Sequence, residues 1–138
     1  MKVSYIICYS STWPMTKFDP TSWQESDLEL DKKILNQTNK LLQQIYTIPG
    51  KKEIILIDNS GDFILELNNK NLKIIEGFGA LYKKFEGDKN KIKLQFNEEL
   101  KIFNISDKIE YNIFKNDQAQ ITALAYNQGI AAATGDYI

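Results

Sequence analysis

The chain has 138 residues, 43% of them hydrophobic and 25% charged, with a formal net charge of -1. That is enough chain for one buried core, and too little positive charge for a surface that neutralises the phosphates of a nucleic acid. The absence of histidine and the single cysteine, Cys8, exclude a Ser/His/Asp triad, a Cys/His pair, a histidine-ligated zinc or iron site and an internal disulfide within this chain.

From Val3 to Tyr9, "VSYIICY" is apolar at nearly every position, which predicts a strand covered on both faces, with Cys8 as a small buried thiol. This run is too short and too β-branched for a signal peptide, and no stretch is long enough to cross a bilayer, so a cytoplasmic protein is expected. "STWPMTKFDPTSW", Ser11 to Trp23, follows as a loop holding both tryptophans, which serve either as loop anchors or as sugar platforms. "SDLELDKKILNQTNKLLQQIY" predicts a helix with Leu30, Ile34, Leu41 and Ile45 on its buried stripe and Leu35, Leu42 and Tyr46 beside it. Ser26 and Glu29 suggest a capping box, and Pro49-Gly50 a stop. "EIILID", Glu53 to Asp58, is a second apolar strand, and the order strand, helix, strand implies a parallel pair.

The middle, Phe63 to Asp107, offers "LKIIE" as a strand, "ALYKKFE" as a short helix and the alternating "KIKLQF" as strand-like, divided by Gly77, Gly79 and Gly87. Lys83, Lys84, Lys89, Lys91 and Lys93 are interleaved with or followed by Glu86, Asp88, Glu98 and Glu99, the pattern of a solvated face. "EGFGALY" puts a GxG after a strand, but Tyr82 at the third glycine position argues against a dinucleotide fingerprint. "KIEYNIF", Lys108 to Phe114, predicts a strand. "QAQITALAYNQGIAAATG" predicts a helix with Ile121, Leu124, Ala125 and Ala132 on one side and Gly135 as a left-handed cap, and "DYI" opens the next parallel strand.

In an open parallel sheet, ligands bind beyond the carboxyl ends of the strands. Those ends carry Tyr9, Ser10 and Ser11, then Asp58, Asn59 and Ser60, then Lys115, Asn116 and Asp117. In "LIDNSGD" the carboxylate of Asp58 and the amide of Asn59 suit the donors and acceptors of a base or ribose, and the same residue types equally suit a tight turn.

Three stretches, "KVSYIICYS", "EIILIDNSGD" and "AYNQGIAAATGDYI", together resemble the amino-terminal half of a family 2 glycosyltransferase of the GT-A fold. The last carries the most specific spacing, of Asn, Gly, Ala, Gly, acid, aromatic and Ile. The resemblance implies an α/β fold, a Rossmann-like GT-A half whose mostly parallel sheet has helices on both faces and is incomplete at its carboxyl terminus. It covers residues 1–138 as one partial domain, with 63–107 as a subfamily insertion. It further implies a nucleoside diphosphate sugar donor, an inverting transfer to a saccharide, lipid or protein acceptor, and Mg²⁺ or Mn²⁺ on DxD aspartates that would follow Ile138. By the same resemblance the nucleotide is held by Cys8, Tyr9, Ser10, Asp58, Asn59, Lys115 and Asn127.

The chain departs from that pattern in places. Asp58-Asn59 replaces two consecutive acids, and Tyr126 stands where a basic residue is common, leaving Lys115 as the nearby cation for a diphosphate. Asn127 and Gly129 serve either helix packing or the ligand. The other readings compatible with the sequence are a nucleotidyltransferase or other nucleotide-binding α/β enzyme, and a non-catalytic interaction domain.

Overall fold

A computed structural model describes residues 1–10, 25–61, 63–64, 72–88, 90–92, 94–95 and 118–138, with 25–27 and 118–123 described by backbone alone. Its elements are β1 (Lys2–Tyr9), α1 (Glu25–Thr47), β2 (Lys51–Asp58), β3 (Leu72–Glu76), α2 (Phe78–Lys84) and α3 (Gln118–Ala132). The strands form a parallel sheet in the order β1-β2-β3. Tyr137 makes an isolated parallel bridge to Val3, with Ser4 N–H donating to Tyr137 C=O at 2.7 Å. Since Lys2 and Ser4 bond to 136–137 while Tyr9 C=O receives Asn59 N–H, the chain end lies on the edge of β1 opposite β2. The expected opening of a further parallel strand by "DYI" is thus borne out in its first bridge.

Because side chains alternate along a strand, each of β1 and β2 feeds two cores. On one face Ile54 and Leu56, with Tyr5, Ile7 and Tyr9, meet Leu42, Ile45, Ile34, Leu35 and Tyr46 of α1. On the other, Ile55 and Ile57, with Cys8 and Ile75, meet Ala125 and Ala132 of α3. Helices therefore cover both faces, as the uninterrupted apolar strands require. Gly129 lets α3 sit directly on β1: a Cβ there would run into Ile6.

Several expectations are corrected. The buried stripe of α1 runs through Leu42 and Ile45 and includes Asn39, while Leu30 and Leu41 are exposed. Asn39 is tolerated inside because its Nδ2 donates to Leu35 C=O and Ile64 C=O. The helix starts at Glu25, so Ser26 lies in its first turn and not at the capping position. The helix expected at Ala80 begins two residues earlier, at Phe78. In "KIKLQF" the described residues Lys91, Ile92, Leu94 and Gln95 are helical, not strand-like. Asp88 explains this, because its Oδ1 accepts the N–H groups of Asn90 and Lys91, an N-cap that overrides a weak alternation. Gly135 is not a left-handed cap, since the positive-φ glycines are Gly50, Gly61 and Gly87. It is needed for close approach: a Cβ on it would strike Ser4 and Lys2. The strand expected at Lys108 to Phe114 lies outside the described residues.

A polar clamp at the amino ends of the strands fixes the turn after α3. Glu53 accepts Ser4 Oγ at 2.6 Å, Thr134 N–H at 2.5 Å and Thr134 Oγ1 at 2.9 Å, and Lys2 Nζ lies 3.7 Å away. Gly135 N–H donates to Ser4 Oγ, and Lys2 N–H to Asp136. Burial by itself would raise the Glu53 carboxyl, but these donors and the Lys2 charge outweigh it and bring it down to about 2. A carboxyl depressed in the folded state stabilises fully above its unfolded value, near 4.5, and that contribution fades as pH falls toward 2. With partial solvent screening, we expect Glu53→Gln to cost about 2 kcal/mol at pH 7. Urea denaturation of both proteins at pH 7 and pH 2.5 should show this gap nearly closing at the lower pH; a pH-independent gap would contradict the assignment.

Candidate functional site at the carboxyl ends of the strands

Register aligns the strand ends. Tyr9 is opposite Asp58, and Asp58 is opposite Glu76. Asn59 N–H donates to Tyr9 C=O at 2.9 Å, and Gly77 N–H to Asp58 C=O at 2.9 Å, which ties the three exits into one rim. Ser10, exposed, and Ser60, fully buried, continue that rim after β1 and β2. The structure thus brings Ser10, Asp58 and Asn59 to the same edge, while Ser11, Lys115, Asn116 and Asp117 lie outside the described residues.

The two side chains on which the sequence reading turned both hold the backbone. Asp58 Oδ1 accepts Ser60 N–H at 3.1 Å and Gly61 N–H at 2.8 Å, and Oδ2 accepts Phe63 N–H at 3.1 Å. A carboxylate suits this role because one anion satisfies donors that a turn leaves unpaired. Gly61, at φ +72°, supplies the left-handed residue that the turn needs. Asn59 Oδ1 accepts Phe78 N–H at 3.0 Å and so caps α2 from across the rim. Gly77 is required beside it, since a Cβ there would collide with the Asn59 amide.

The remaining site residues divide between the two faces. The Tyr9 ring is 2% exposed and meets Phe63 edge-on at 5.1 Å, so it belongs to the α1-side core and offers no surface for a base to stack on. Cys8 points to the α3 side, half-buried. Burial pushes its thiol up to about 11, although a side-chain hydrogen bond with Tyr126 works the other way, so it is protonated at neutral pH. Asn127 is half-buried on α3 between Tyr126 and Gln128.

Sequence reasoning missed Gln128, whose Nε2 donates to Glu76 C=O at 3.1 Å and joins α3 to the end of β3. It also missed Gly77, for which a glycine between a strand and a helix was the available signal. A groove of about 330 Å³ lined by Lys73, Ile75, Gln128, Ala131 and Ala132 lies on the opposite face of the sheet from the Asp58 carboxylate. Among the described residues no group of three or more Cys, Asp or Glu side chains builds a metal site, and no helix is long and apolar enough to cross a membrane.

The chain matches no family model, no curated protein and no solved structure.

The Asp58 network makes its own prediction. Asp58→Ala, which orphans the turn donors, should cost about 3 kcal/mol, and Asp58→Asn, which turns one acceptor into a donor facing Phe63 N–H, about 2 kcal/mol. Urea unfolding monitored by circular dichroism measures both; a loss under ~0.5 kcal/mol for Asp58→Ala would show that the turn does not depend on the carboxylate.

Proposed function

We propose that this chain is the nucleoside-holding portion of a GT-A glycosyltransferase that takes a nucleoside diphosphate sugar and transfers the sugar, with inversion, to a saccharide, lipid or protein acceptor. The observation that carries this reading is the return of the chain to the second edge of β1, at the isolated bridge between Val3 and Tyr137. The sheet grows from β1 through β2 to β3, then the chain returns to the other edge of β1 at Tyr137. A reversal of this kind opens a crevice beyond the carboxyl ends of the strands that flank it. Ser10 stands at that point, and the Asp58 turn forms the adjoining wall.

In this reading Ser10 meets the ribose or the first phosphate through its hydroxyl. Asp58 and Asn59 act chiefly by holding the wall rigid, so that the backbone groups of residues 59–61 keep a fixed shape toward the base. Cys8 and Asn127 support the crevice from the α3 side. Lys115, outside the described residues, remains the proposed cation for the diphosphate. A Mg²⁺ or Mn²⁺ ion, which this class of transfer uses, finds no ligand set among the described residues, so the roles proposed for them concern the nucleotide alone. A cytoplasmic location accords with such a donor.

The test is calorimetric. UDP and GDP are titrated into the chain and into Ser10→Glu, which sets a negative charge against the phosphates at an exposed position. One nucleotide should bind the parent and bind Ser10→Glu at least ~10-fold more weakly, with circular dichroism showing that the variant keeps the parent's fold. No heat with either nucleotide, or equal affinity for the two proteins, would count against the reading.

A further inference from the structure

We draw no further inference here: the strongest candidate, the groove of about 330 Å³ between β3 and α3 lined by Lys73, Ile75, Gln128, Ala131 and Ala132, carries nothing because nothing in the structure shows what covers it.

Discussion

The parallel pairing of β1 with β2 in a single register is the constraint from which the rest of the molecule follows. Lys2 opposite Lys51 at one end fixes Tyr9 opposite Asp58 at the other. Alternation then decides that Tyr5, Ile7 and Tyr9 share a face with Ile54 and Leu56, and that Cys8 shares the other with Ile55 and Ile57. A slip of one residue would reverse both sets, placing the Tyr9 ring under α3 and removing the Asn59 N–H from Tyr9 C=O. Polar interactions lock the register at both ends, through the Glu53 clamp below and the Asp58 turn above. The apolar strands between them supply most of the burial, and the two polar ends supply its uniqueness.

The two ends do different work. At the amino ends, Glu53, Ser4, Thr134 and Asp136 spend their hydrogen-bonding capacity on holding the return of the chain against β1. At the carboxyl ends, Asp58 and Asn59 shape backbone, one holding the 59–61 turn and the other the start of α2. A binding surface built from backbone needs such support, since backbone donors in an unsupported turn point in many directions. Rigidity at the rim is thus a property of acids and amides that need not touch a ligand themselves.

Much of this was legible in the sequence because the signals were strong and local. Two largely apolar runs gave β1 and β2, "LKIIE" gave the third strand, and of the two roles open to Gly129 the structure shows close packing on Ile6. What failed was decided by tertiary partners or by a single cap. Asn39 is buried because Ile64 C=O waits for its amide, a bond that no helical periodicity announces. "KIKLQF" alternates like a strand, yet one carboxylate, Asp88, starts a helix through it. Tyr9 read as a rim residue because it ends its strand, whereas alternation turns its ring inward onto Phe63. For Asp58 the sequence permitted both a turn and a ligand contact, and the geometry shows that the turn uses both oxygens.

The rim is the proposed seat of a nucleoside diphosphate, and amide-resolved NMR tests this most directly. A titration of the ¹⁵N-labelled chain with UDP or GDP should shift the amides of Ser10, Ser60, Gly61 and Gly77 and leave those of Glu53 and Thr134 in place. Shifts confined to the Glu53 end of the sheet, or none at saturating nucleotide, would contradict it.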